Sequence, residues 1–134
     1  MAQRIDDINV KDSDELLRRI WNQEQWINLK KLKEGDLRPS SVAFLDDLNE
    51  VSVNVAAETT PEKVLELYPD FGLVSLKAGV PRSQELIVSL TPEDPEPSHR
   101  VICLPPEFSG SKRKGLARIM AEASIWIEKP AKYR

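Results

Sequence analysis

From Ser109 to Ile127 the apolar residues recur at spacings of three and four, and no other stretch constrains the fold as firmly. Leu116, Ile119, Met120, Ala123, Trp126 and Ile127 fall on one broad face of a predicted helix, with Ser109 or Ser111 as its N-cap and Pro130 as its stop. Such a face must be buried against another layer, and the middle of the chain supplies strand-like segments for one.

Val51-Ser52-Val53-Asn54-Val55 alternates apolar and polar residues, the pattern of a half-buried strand. Leu73 to Ala78 and Glu85 to Leu90 read as two more strands, joined by a hairpin loop over Gly79-Val80-Pro81-Arg82-Ser83. Arg100 to Leu104 reads as a fourth, stopped by Pro105-Pro106. Between the last two, Thr91 to Ser98 holds three prolines and no large apolar side chain, which predicts an exposed, stiff connection over 91–98. Thr60-Pro61-Glu62 opens a short helix, because Thr can cap and Pro at the first position sacrifices no needed N–H; Val64, Leu65 and Tyr68 point inward and Pro69 ends it.

Near the N-terminus Asp12 reads as an N-cap with Glu15 three positions on, followed by Leu16, Leu17, Ile20 and Trp21 at helical spacing. The pattern loosens from Asn22; Trp26, Ile27, Leu29 and Leu32 fit either a resumed helix or an irregular packed segment. Turn material follows at Gly35-Asp36 and Arg38-Pro39-Ser40-Ser41. These elements predict an α+β fold: an antiparallel or mixed sheet of about four strands packed against N-terminal and C-terminal helices, in a simple meander. With 134 residues, no internal repeat and one composition regime, the expectation is a single domain over 1–134.

Composition narrows the function. A hydrophobic fraction of 40% with 31% charged residues is ordinary for a folded globule. The net charge of −3 speaks against a protein whose main work is coating nucleic acid. Residues 1 to 67 carry 9 basic against 14 acidic side chains, and residues 68 to 134 carry 10 against 8, an asymmetry that would orient self-association or a partner. With one cysteine, Cys103, neither an intrachain disulfide nor a cysteine-based zinc site can form. No apolar run spans a bilayer and no signal-like stretch opens the chain, so the expected setting is cytoplasmic, without a membrane. No cofactor or metal site is expected.

No catalytic motif of a known family emerges, and the candidate chemistry rests on single residues. His99, the only histidine, stands at the start of a strand where it would act as acid or base, or serve as a hydrogen-bonded structural residue. Cys103 shares its strand face but lies roughly 13 Å away, too far for a dyad, and reads as a small buried hydrophobe. Asp46, Asp47 and Glu50 are paired-carboxylate candidates that turn chemistry also explains. Arg38 beside Ser40 and Ser41 suits a phosphate or carboxylate as well as it suits a capped turn, with Arg82 as a second donor from another loop. Lys112, Arg113 and Lys114 sit at the positive end of the C-terminal helix, which favours an anion nearby or a solvated basic loop. Gly110 and Gly115 have phosphate-loop spacing, but Leu116 stands where that loop requires Lys. Trp21 and Trp126 read as core, and Trp26 as the candidate interface residue.

Two readings follow. In the first, the chain is a non-catalytic interaction or accessory module whose partner is another protein or a second copy, showing an apolar patch near Trp26 or on the terminal helices. In the second, it is a small enzyme acting on a phosphate-bearing or nucleotide-like substrate, with Arg38, Ser40, Ser41, His99 and the carboxylates in one pocket. Nucleic-acid binding through Lys112 to Arg118 ranks third and would require a basic stripe reaching Lys129, Lys132 and Arg134.

Overall fold

The computed structural model describes residues 4–45 and 49–134. Asp46 and Asp47, two of the carboxylate candidates, lie outside the described residues. The chain is α+β, with six strands where the sequence pattern suggests about four. β1 (Glu15–Ile20), β2 (Glu50–Val55), β3 (Gly72–Lys77), β4 (Ile87–Leu90), β5 (His99–Cys103) and β6 (Ile125–Glu128) form one open antiparallel sheet in the order β4-β5-β2-β1-β3-β6. The helices among the described residues are α1 (Leu29–Lys33), α2 (Pro61–Leu65), α3 (Gly79–Ser83) and α4 (Gly110–Ala123).

The expected N-terminal helix is instead β1, one of the two central strands. Leu16, Leu17 and Ile20 satisfy helical spacing, yet Leu16 and Ile20 also share one face of a strand while Leu17 takes the other. All three are buried, Leu16 and Ile20 in the main core and Leu17 in a second cluster with Leu73 and Val64 of α2. A six-residue ladder to β3, running from Glu15 opposite Lys77 to Ile20 opposite Gly72, provides hydrogen bonds that an isolated helical turn could not match. Asp12 therefore caps no helix; Lys11, Asp12, Ser13 and Asp14 form the turn into β1, where the Lys11 amide donates to Asp14 Oδ2 at 2.8 Å.

The expected meander also gives way. The loop predicted after β3 winds into α3 and carries the chain to the far edge of the sheet, so β4 pairs with β5 rather than β3. Thr60 does cap α2, accepting from the Lys63 amide at 3.2 Å, and Ser109 caps α4, accepting from the Lys112 amide at 3.1 Å. α4 buries Leu116, Ala117, Met120 and Ala121 against the sheet and the turn Ser41–Phe44. Burial of Phe44 and Met120 stabilises the fold by roughly 1.5–3 kcal/mol each.

α4 stops at Ala123, earlier than the apolar spacing suggests. Trp126 and Ile127 belong to β6, and Trp126 Nε1 donates to the Leu37 carbonyl at 2.7 Å. Gly72 sets how closely the chain beyond β6 returns to β3: a Cβ there would stand 2.6 Å from the Pro130 ring. At the opposite edge, residues 4–10 form a strap along β4, with the Asp7 amide donating to the Val88 carbonyl and Asp6 Oδ1 accepting from the Val88 amide. Three arginines pin it. Arg82 pairs with Asp6, Arg4 pairs with Glu50 and Glu93, and the buried Arg100 pairs with the buried Asp7 at 3.0 Å.

Candidate functional site

Arg38, Ser40 and Ser41 line one open cleft of about 680 Å³ together with Lys31, Arg118 and Glu122. Two of the three are already engaged by the fold. Arg38 Nη2 donates to the carbonyls of Ala121, Glu122 and Ser124 at 2.9, 3.1 and 2.5 Å where α4 ends, sharing the Ala121 acceptor with the Ser124 hydroxyl. A fixed positive charge there also complements the negative end of the helix dipole. Ser40 Oγ donates to the Gln25 carbonyl at 2.6 Å. The sequence signal for an anion site at Arg38 thus coincides with a helix C-cap.

His99 lines a different, smaller cleft of about 280 Å³ with Arg4, Glu50, Ser52, Thr91, Glu93 and Asp94. Its Nδ1 lies 2.7 Å from Thr91 Oγ1 and 3.4 Å from Asp94 Oδ2. Burial lowers the imidazole's proton affinity below the ordinary histidine range; Asp94 and Glu93 counter this, while Arg19 and Arg4 reinforce it. Glu93 is held down to about 2 by the hydrogen bond from Arg4. Cys103 is half-buried, and desolvation raises its thiol to about 11, so it is a poor nucleophile near neutral pH.

The basic residues at the start of α4 are partly engaged. Lys112 Nζ lies 3.8 Å from the Phe108 ring centroid, and Arg113 bonds Asn49 Oδ1. Lys114 is exposed and lines two shallow clefts with Ser111. Arg82 pairs with Asp6 and Asp12 and donates to the Val10 and Asp7 carbonyls, which commits it to the strap. Among the described residues no group of three or more His, Cys, Asp and Glu is arranged to hold a metal ion, and no helix is long and apolar enough to cross a membrane.

An aromatic cluster is the feature that sequence reasoning only touched. Trp26, half-buried, stacks on Trp21 with ring centroids 5.3 Å apart and planes 7° from parallel. Trp21 meets Phe71 at 6.0 Å, and Phe71 meets Tyr68 at 5.0 Å. Arg18 lies over Trp26 and Arg19 over Tyr68, at 5.4 and 4.2 Å from the ring centroids. Trp21 is 45% exposed, Tyr68 37% and the adjoining Leu67 83%. Trp21 is therefore a surface residue rather than a core one, and Tyr68 is not inward-facing. The available signal was the break in apolar spacing at Asn22, directly after Trp21: a ring at the end of a strand has no next turn to cover it.

The chain is an α+β domain with an open six-stranded antiparallel sheet. Compared with protein-family models, with curated proteins and with solved structures, the chain matches none of them.

Proposed function

We propose that the protein is a non-catalytic interaction module, an accessory component of a cytoplasmic assembly that docks a protein partner or a second copy through its aromatic end. One observation carries this reading: four of the chain's eight aromatic residues, Trp21, Trp26, Tyr68 and Phe71, form one contiguous, partly exposed cluster crossed by Arg18 and Arg19. Trp, Tyr and Arg dominate binding energy at protein interfaces because they bury large rigid surfaces at low entropic cost. Isolated exposed apolar side chains are normal on any surface, but a continuous patch is not. The enzyme reading has less support, since Arg38 is occupied at the end of α4 and His99 lines a separate cleft.

Light scattering on the pure protein, and on the protein co-expressed with the products of neighbouring genes, tests the proposal. The expected result is a defined dimer or complex that the double substitution Trp21→Ser, Leu67→Ser weakens at least about tenfold, the scale of a modest interface anchor. Its far-ultraviolet circular dichroism should stay unchanged. A monomer under both conditions, or a complex indifferent to the two substitutions, would overturn it.

A further inference from the structure

Gly115 has no reason within the fold to be glycine. It lies in the interior of α4, where glycine destabilises a helix relative to alanine. Its backbone is not left-handed, and a Cβ built on it would meet nothing within 4 Å. Its effect is to leave bare backbone on one wall of an open cleft of about 300 Å³ between α4 and the turn Ser41–Phe44. Four side chains line that cleft with it, Ser41 from the turn and Ser111, Lys114 and Arg118 from α4, and none of the four has a hydrogen-bond or ion-pair partner among the described residues. The walls are firm, because Ala43 and Phe44 of the turn and Ala117, Met120 and Ala121 of α4 are buried in the same core.

Ser111, Lys114 and Arg118 stand three and four positions apart and so share one flank of α4. Two cations at the spacing of Lys114 and Arg118 repel each other. Arg4, Arg82, Arg100 and Arg134 are all paired with carboxylates, but no described carboxylate lines this cleft, and Arg118 makes no ion pair with Glu122 one turn on. A guanidinium, an ammonium and two hydroxyls, all without acceptors, are a donor set for a phosphate. The set runs along the flank of the helix rather than over its end, where Ser109 already accepts from the Lys112 amide.

The cleft continues at both ends. Ser41 and Arg118 also line the larger cleft that holds Glu24, Asp36 and Glu122, and Ser111 and Lys114 also line one walled by Val42 and Leu45. A phosphate carried on a chain therefore has room on either side of it. A nucleic-acid strand would bring its next phosphate against those three carboxylates, and no aromatic ring among the described residues lines any of the three clefts to stack a base. We propose that this cleft binds a phosphorylated side chain of a protein partner, with the phosphate between Lys114 and Arg118 and a neighbouring basic residue of the partner toward Glu122 and Asp36. The site shares no residue with the aromatic cluster and does not depend on it.

The test is a titration of the full chain, followed by its amide NMR shifts, with an alanine-based peptide carrying one phosphoserine beside two lysines. Its unphosphorylated form, inorganic phosphate and an oligodeoxythymidine are titrated in parallel. The phosphopeptide should move the amides of Ser41, Ser111, Lys114, Gly115 and Arg118 saturably, and binding of the unphosphorylated form should be at least about tenfold weaker. Lys114→Gln with Arg118→Gln should remove the response. Gly115→Ala gives the sharper reading: it should raise the melting midpoint by about 2–3 °C and yet weaken the phosphopeptide several-fold, a combination that damage to the fold cannot produce. Shifts that are absent at millimolar peptide, or equal for the two peptides, would overturn the proposal. So would inorganic phosphate or the oligonucleotide binding as tightly as the phosphopeptide, or a Gly115→Ala variant that is destabilised or binds unchanged.

Discussion

Converting Asp7 to Asn would test whether the strap is held by a buried charge pair or merely by backbone contacts. The pair is the most enclosed in the described structure: side-chain exposure is 6% for Arg100 and 3% for Asp7, with Arg100 Nε 3.0 Å from Asp7 Oδ2. Removing one partner of such a pair typically costs about 3–5 kcal/mol, because the surviving charge stays buried without compensation. Arg100 would keep Glu58, itself 44% exposed, at 3.2 Å, and the Pro97 and His99 carbonyls at 2.7 and 2.9 Å. Those contacts place the expected loss at the lower end, about 3 kcal/mol. For a domain of this length that is a fall in thermal midpoint of roughly 10 °C, read by calorimetry or by chemical denaturation with an unchanged m-value. Replacing both partners, Asp7→Leu with Arg100→Met, should recover most of the loss, since neither charge then remains to be solvated. A loss under about 0.5 kcal/mol for Asp7→Asn, or a double variant as unstable as the sum of the singles, would refute the reasoning.

Two further outcomes follow from the same geometry. Arg38→Met removes the donor shared by three carbonyls at the end of α4 and should cost about 1–2 kcal/mol, seen as a lower melting midpoint with early loss of protection in the last turn of α4. Cys103, with its thiol raised to about 11, should be alkylated slowly at pH 8, where roughly one thiol in a thousand is ionised. Its rate should rise about tenfold per pH unit and level off only near pH 11; rapid labelling at pH 8 in the folded protein would contradict its placement.

How much of this could be read in the residues depends on where the deciding partner lies. The caps of α2 and α4 were legible because Thr60 and Ser109 meet amides three residues away. β1 was not, since Leu16, Leu17 and Ile20 suit either period and the choice is made by Leu76 and Val55, distant in sequence. The end of α4 misled for a related reason. Its apolar spacing runs on through Trp126, and only Arg38, more than 80 residues upstream, reveals where the last carbonyls are satisfied. Among candidate residues, Trp26 stands out by its irregular context and stacks on Trp21, but the rings of Phe71 and Tyr68 that extend its cluster come from the approach to another strand.

The two margins of the sheet have a consequence for assembly. One margin is occupied by the strap, which bonds both the amide and the carbonyl of Val88. The other is four residues long, irregular in register opposite Leu73 and Val74, and followed closely by Pro130. A newcomer strand finds no clean template at either side, so this domain is poorly suited to growing by strand addition, whether into a shared sheet or a fibril. What it joins, it must meet side chain to side chain, and its neighbours in a crowded cell can be numerous without becoming continuous with it.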